Sequence, residues 1–473
     1  MARAASTWWR DLIGSFADLR RLPRGFWLVV GAFVVESCAY FGVLTLMTTY
    51  LATDLGWGDR WAGLTVSVFT MSITLLMLGP GSYAERFGVR RAILFALFFS
   101  TCGRVAYSSA AALGHGSTAG VIVVVISILV VATGSGILQP VCYAGVKQYT
   151  DEQTNSMGYG LIYALMNAWV VVAGALSAWI RPAVQAVKDG QPAANDLGGL
   201  IIRGLASFSG SGVQAFNWIA VGITALTFLL FLSLMTRQAE AAKLRPDRVA
   251  ASLAAGGEPW SRRLRAFFSD GPFTNGRFVF FIFMLLPVRT MFAHQWLTFP
   301  QYILRAYPEG VADRMEWLVN WINPGIVFVG VPVATALTRR VDVYTMMIIG
   351  TLVSAAPTFL LAFGARLDLL ILYFVIYSIG ETLWSARFYE YASELAPPGK
   401  VAHYLGLANV PWLLAKGTTG LYSGYMLATY CPAGVPRAEL HTEAMWVIYG
   451  CIAMISPIGL WLARKWVRAG AMK

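Results

Sequence analysis

The chain has 473 residues, 57% hydrophobic and 13% charged, with mean hydropathy +0.60 and formal net charge +12. This excludes a soluble domain: apolar runs of 20 or more residues recur, each long enough to cross roughly 30 Å of hydrocarbon as a helix. The basic residues sit in short connections between these runs, which is a mark of membrane topology rather than of a nucleic-acid surface.

Residues 7–21, TWWRDLIGSFADLRR, place apolar and basic positions at helical spacing. They predict an amphipathic helix on the cytoplasmic membrane surface, within a cytoplasmic segment 1–25. Residues 1–24 contain no short apolar core followed by a small-residue cleavage site, so a cleaved leader is not expected. Six spans follow, over about 26–51, 61–83, 92–113, 120–143, 157–180 and 215–235, making an N-terminal six-helix bundle 26–235. Between the fifth and sixth, residues 181–212 are rich in Gly, Ser and Ala and read as an outside loop with a short interfacial turn. Residues 236–276 gather Lys and Arg around Gly256-Gly257 and Pro259, as a basic cytoplasmic linker does. Six more spans, at about 277–300, 318–338, 343–364, 368–392, 402–428 and 443–463, make a C-terminal bundle 277–466, and 467–473 is a cytoplasmic tail.

The fold class expected is an all-α membrane protein of twelve transmembrane helices in two six-helix bundles. The six-and-six division predicts an internal repeat. AERFGVRRAILF, between spans two and three, has a shortened counterpart in ALTRRVDVYTMM, between spans eight and nine. Basic residues at both ends, in 81–91, in the linker and at Arg339-Arg340 put both termini on the cytoplasmic side of a cell (inner) membrane. Cys38, Cys102, Cys142, Cys431 and Cys451 form neither a C-x-x-C nor a zinc spacing and read as packing residues.

The chemistry lies in charges at mid-span. Glu381 sits inside YSIGETLWSA (377–386), where a carboxylate costs roughly 2.5–3.5 kcal/mol on insertion scales. At ~1.5 Å rise per residue it lies ~18 Å from the cytoplasmic end of its span. Arg104, Arg289 and Lys416 reach nearly the same plane, with Glu36 slightly closer to the cytoplasm. Two carboxylates and three cations at one depth mark a substrate or ion path. Tyr40 lies one turn from Glu36, and Tyr163 one turn from Asn167, so each pair shares a helix face. Such faces suit peptide-like or zwitterionic ligands and equally suit bonds between helices. His294, in the outer third of span seven, is either a structural donor or a proton carrier. Pro140, Pro287, Pro324, Pro332, Pro357, Pro411 and Pro457 fall within spans and predict kinks.

GSYAERFGVRR (81–91) resembles the signature loop G-x-x-x-D-R-x-G-R-R of the major facilitator superfamily, with Glu85 in place of the aspartate. The resemblance implies that Glu85, Arg86, Arg90 and Arg91 act in gating: Glu85 pairs across the bundle interface only when the cytoplasmic side is shut. Within that superfamily the chain resembles the proton-coupled oligopeptide transporters. ESCAYFG (36–42) resembles the end of E-x-x-E-R-F-x-Y-Y-G, and GSGILQP (134–140) resembles G-x-G-x-x-K-P. YALMN (163–167) resembles F-Y-x-x-x-N, and NPGIVFVGVP (323–332) matches N-P-x-x-x-x-x-x-x-P. GETLWSARFYEYASELAP (380–397) resembles G-E-x-x-x-S-P-x-G followed by L-A-P. The family's first glutamate falls on Phe33, its two arginines on Ser37 and Leu44, and its span-four lysine on Gln139.

The resemblance implies a secondary active transporter that moves a small polar or zwitterionic, peptide-like solute by alternating access with proton coupling. The alternative is a lipid-handling flippase or membrane assembly subunit on the same fold. No enzyme is expected, because no nucleotide loop, metal spacing or nucleophile–base set is present, and no cofactor or metal is implied. The expected partners are a small solute, protons and the lipid bilayer, with no nucleic acid, and the chain is expected to be a monomer. The candidate substrate-binding residues are Glu381, Lys416, Tyr40, Asn167, Tyr163, Gln139 and Arg289; the candidate coupling residues are Glu36, Glu381 and His294. With Ser37 beside it, Glu36 is expected to lack an arginine that would hold it ionised. Glu381 and Lys416, on consecutive spans, are expected to lie on neighbouring helices and to form an ion pair that a zwitterion splits.

Overall fold

The computed structural model describes residues 21–78, 88–151, 154–242, 275–338, 341–394, 408 and 410–468. The amphipathic segment 7–21 (all but Arg21), most of the signature loop and most of the linker lie outside the described residues. Among the described residues, twelve principal helices run in chain order. The first six are α1 (Arg24–Thr49), α2 (Gly58–Leu78), α3 (Val89–Ser109), α4 (Thr118–Tyr149), α5 (Asn155–Lys188) and α6 (Gly212–Leu234). The second six are α7 (Gly276–Leu297, in two pieces), α8 (Met315–Leu337), α9 (Val343–Ala355), α10 (Leu367–Glu394), α11 (Val410–Tyr430) and α12 (Thr442–Arg468). Ten of the spans are long and apolar enough, on the described residues, to cross a membrane.

The prolines act in two ways. Pro287 and Pro300 open new helical pieces after Leu285 and Thr298, so α7 is broken into Gly276–Met284 and Leu286–Leu297 and followed by Phe299–Ala306. Pro357 converts the end of α9 to a 3-10 turn, Ala356–Phe363. Pro140 and Pro457 instead stay inside α4 and α12. Pro182 also lies inside a helix, and α5 continues past the expected end near residue 180 to Lys188. Loss of one backbone bond at a proline is offset there because Ile180 and Val184 pack on Ile202, Leu205 and Ala206. Those three belong to a helix, Leu197–Phe208, where a loop with a single turn was expected. Asp196 caps it by accepting from the Gly199 N–H at 2.7 Å.

Helix α1 packs against α4, α5 and α6, while α3 packs on α4 and α6 and α2 on α4. In the second half α9 packs on α10 and α12, α8 on α10, and α7 on α11 and α12. These are two six-helix bundles. They meet along α2 against α11, α5 against α8, and α1 against α7. Small residues set two of these crossings. A Cβ on Gly424 of α11 would stand 2.4 Å from the Asp59 carbonyl oxygen, and one on Gly174 of α5 would stand 2.7 Å from Asn320 Cβ. Helix α11 thus packs chiefly on α2 and α7. α10 and α11 are expected as neighbours because the chain joins them, but among the described residues α10 packs chiefly on α8 and α9.

Candidate functional site

The charges found at mid-span fall into two groups. Inside the first bundle, Arg104 of α3 donates to Glu36 Oε1 at 2.5 Å, and both side chains are almost fully buried. Thr224 of α6 completes the set: its hydroxyl donates to Glu36 Oε2 at 2.8 Å and also contacts Arg104 Nη1. Glu36 therefore has an arginine partner, contrary to expectation, supplied from another helix rather than from position 37. Two charges removed from water are tolerable only when paired and hydrogen-bonded in this way.

The second group faces a cavity of about 730 Å³ between the bundles. Its walls come from α1, α2, α4 and α5 on one side and α7, α8, α10 and α11 on the other. On α10, Glu381, Trp384, Ser385 and Phe388 line it at helical spacing. Glu381 is buried, and its Oε2 accepts from Asn323 Nδ2 of α8 at 2.7 Å; the same amide nitrogen reaches Ser378 Oγ at 3.1 Å. Lys416 of α11 donates to Thr74 Oγ1 of α2 at 3.2 Å. Neither Glu381 nor Lys416 forms an ion pair among the described residues, so the expected Glu381–Lys416 pair is absent. The physical reason is the packing: α11 has turned its lysine towards α2, across the interface. Arg289 of α7 stands over rings, its Cζ 4.1 Å from the centroid of Phe388 and 5.1 Å from that of Trp412.

The other candidates divide the same way. Asn167 and Tyr163 both line the cavity, joined by a bond from Asn167 Nδ2 to the Tyr163 carbonyl at 2.9 Å. Gln139 lines it as well. Tyr40 faces a side recess together with Glu36 rather than the cavity itself. His294 lies off the cavity, fully buried: Nδ1 bonds Thr298 Oγ1 at 2.7 Å, Nε2 bonds the Tyr422 hydroxyl at 3.2 Å, and the ring stacks on Tyr449. Of the gating set, Glu85 and Arg86 lie outside the described residues. Arg90 donates through Nε to the Met235 carbonyl at 2.5 Å, and Arg91 is exposed. Among the described residues no group of three or more His, Cys, Asp or Glu could hold a metal ion.

Sequence reading missed the contacts that tie the bundles together at one end of the cavity. Arg305, just after α7, forks onto Asp59 of α2 at 2.6 and 2.7 Å and donates to the Cys431 carbonyl at 2.9 Å. Arg181 of α5 clasps the Glu316 carboxylate of α8 through Nε and Nη2 and donates to the Ala312 carbonyl at 2.8 Å. Both are forked, largely buried arginine–carboxylate pairs, the strong class of charged contact. Each takes its carboxylate from a first helical turn, Asp59 in α2 and Glu316 in α8.

Solved structures share this architecture. The structure of a mutant of a peptide transporter POT aligns with TM-score 0.69 and 15% identity, over 94% of this chain and 95% of that one. A POT family transporter in complex with 5-aminolevulinic acid aligns with TM-score 0.63 and 16% identity, over 94% and 97%. A D-xylose–proton symporter aligns with TM-score 0.65 and 15% identity, over 92% and 96%. The chain has the major facilitator fold. No family model matches the sequence, and no curated protein matches it. Within this fold the signal that could have pointed to Asn323 was in view, because it opens the N-P stretch of span eight. Trp412 likewise stands one turn before Lys416. The arginine forks carried no such signal, since each joins residues over 130 positions apart.

Proposed function

We propose that this chain is a secondary transporter that carries a small polar solute through the central cavity by alternating access, coupled to protons. One observation supports the reading: charged side chains face a cavity between two bundles that, among the described residues, are latched together at one end by ion pairs and close helix crossings. With the termini and linker cytoplasmic, as the basic loops imply, the Asp59–Arg305 and Arg181–Glu316 contacts form the outer gate in its closed state. Opening it requires breaking both forks, and new contacts at the cytoplasmic side must compensate for their loss.

Coupling is assigned to Glu381. It is the carboxylate that lines the main cavity, and its partner there is a neutral amide, so adding or removing its proton changes the charge of the site. Glu36 is paired with Arg104 inside the first bundle, which suits it to holding that bundle together. Peptide-like solutes are the first to assay, given the POT resemblance. In proteoliposomes, Glu381→Gln is expected to lose accumulation driven by an imposed pH gradient and to keep solute counterflow. Full gradient-driven accumulation by that variant would remove Glu381 from the coupling role.

A further inference from the structure

We infer that the helix Leu197–Phe208 is a membrane-contact element: it lies along the lipid boundary with one face on α5 and the opposite face in the acyl chains of the adjoining leaflet. The partner is the lipid surface. The inference goes beyond the transport reading and holds whatever solute the cavity carries.

The helix has three faces, each of a different character. Gly199, Ile202, Leu205 and Ala206 are buried, and the last three pack on Ile180 and Val184 of α5. Leu197, Leu200, Ile201 and Phe208 recur at helical spacing on the opposite side, and they are between 41% and 73% exposed. Gly204 falls on the same stripe, with open space where a Cβ would stand. Between the two apolar faces, along one edge, run Arg203 and Ser207, both exposed. Arg203 Nη1 donates from there to the Ala194 carbonyl at 2.9 Å. A helix wholly in water has no reason to confine its polar side chains to one edge. A helix in the interface does: one side meets protein, one meets acyl chains, and the strip between them meets water.

Its depth is marked by tryptophans, which gather where hydrocarbon gives way to headgroups. Exposed Trp179 directly precedes Ile180, and a Cβ on Gly198 would stand 3.3 Å from the Trp179 ring. At the other end Phe208 meets Trp218 of α6 edge-on, with ring centroids 6.1 Å apart. Trp218 lies six residues inside the start of α6 at Gly212, ~9 Å along the axis at ~1.5 Å per residue. Both ends of the helix therefore rest against transmembrane helices, at the level of residues that face lipid, and its apolar stripe is continuous with that surface. Exposed Trp317 marks the same level on α8, next to Glu316, the partner of Arg181. Ile180 and Val184 flank Arg181, so the helix that meets lipid also packs on the stretch of α5 that carries one arginine fork.

The test reads lipid contact in the full chain, reconstituted in phosphatidylcholine liposomes. Leu200→Cys, Ile201→Cys, Arg203→Cys and Ser207→Cys are labelled singly with a nitroxide, in a chain whose exposed native cysteines carry Cys102→Ser and Cys451→Ser. Labels at 200 and 201 are expected to collide with dissolved oxygen, which concentrates in lipid, more often than with a water-soluble nickel chelate. Labels at 203 and 207 should show the reverse order. Chelate access at all four positions would put the helix off the membrane and overturn the inference. Shielding of 200 and 201 from both reagents would overturn it too, because protein, such as a second copy of this chain, would then cover the stripe. The wild-type chain gives a second measurement that needs no variant. A phosphatidylcholine with a photoreactive diazirine high on its acyl chain should crosslink within Leu197–Phe208. Crosslinks on the transmembrane helices with none on that segment would overturn the inference.

Discussion

The two bundles treat their mid-span charges in opposite ways. The first closes Glu36 and Arg104 on each other in its interior, with Thr224 as the third member, and among the described residues lines the main cavity with neutral side chains such as Thr74, Gln139 and Asn167. The second turns Glu381 and Lys416 into the cavity, against a neutral amide and a neutral hydroxyl, and lays Arg289 over aromatic rings with a contact to the Ala408 carbonyl. Counting along the spans puts all five near mid-span, so position along the helix does not separate a charge paired inside one bundle from a charge at the cavity. The partner does: a charge matched by an opposite charge inside one bundle stabilises that bundle, whereas Glu381 and Lys416 face the interface with neutral partners, the arrangement on which the proposed solute site rests.

The largest effect should come from breaking the matched pair. Glu36→Gln or Arg104→Gln each strands a buried partner and should cost about 3–5 kcal/mol, lowering the melting temperature well below that of wild type. Replacing both residues by apolar or neutral ones of similar size should recover most of that loss. Glu381→Gln, which strands no charge, should leave the melting temperature close to wild type. Equal destabilisation by Glu36→Gln and Glu381→Gln would break the contrast between the bundles.

A smaller effect is expected at the latch that joins them. Asp59→Asn and Glu316→Gln each remove one fork, worth about 1.5–3 kcal/mol as a charged hydrogen-bonded contact. Together they should move the population towards the state open at the end away from the linker. Distances between spin labels on the loops 114–117 and 364–366 should lengthen. Unchanged distance distributions would mean that the helix crossings, not the forks, hold that end shut.

The smallest effect sharpens the contrast within the second bundle. His294 is buried among Thr298, Tyr422 and Tyr449 rather than in the cavity. His294→Gln should cost about 0.5–1.5 kcal/mol in lost hydrogen bonding and leave gradient-driven accumulation intact. Loss of accumulation with unchanged stability would return His294 to the coupling group.

Much of this molecule was legible in the chain itself. Span number and the six-and-six division follow from runs of apolar residues, because the cost of exposing backbone and polar groups to lipid is paid locally, segment by segment. The breaks at Pro287 and Pro357 are equally local, since a proline removes its own N–H wherever it stands. The helix Leu197–Phe208 was less legible: it is held by packing on α5, a contact that its glycine-rich sequence does not announce. The depth of Glu36, Arg104, Arg289, Glu381 and Lys416 could be counted, but their rotation about each helix axis relative to neighbours could not. Tertiary structure alone decided that Arg104 turns to Glu36, that Lys416 reaches across to Thr74, and that Glu381 meets Asn323. Those choices depend on which helices touch, and chain order is a poor guide to that. α10 and α11 are consecutive and pack on different partners, whereas α2 and α11, separated by most of the chain, lie side by side.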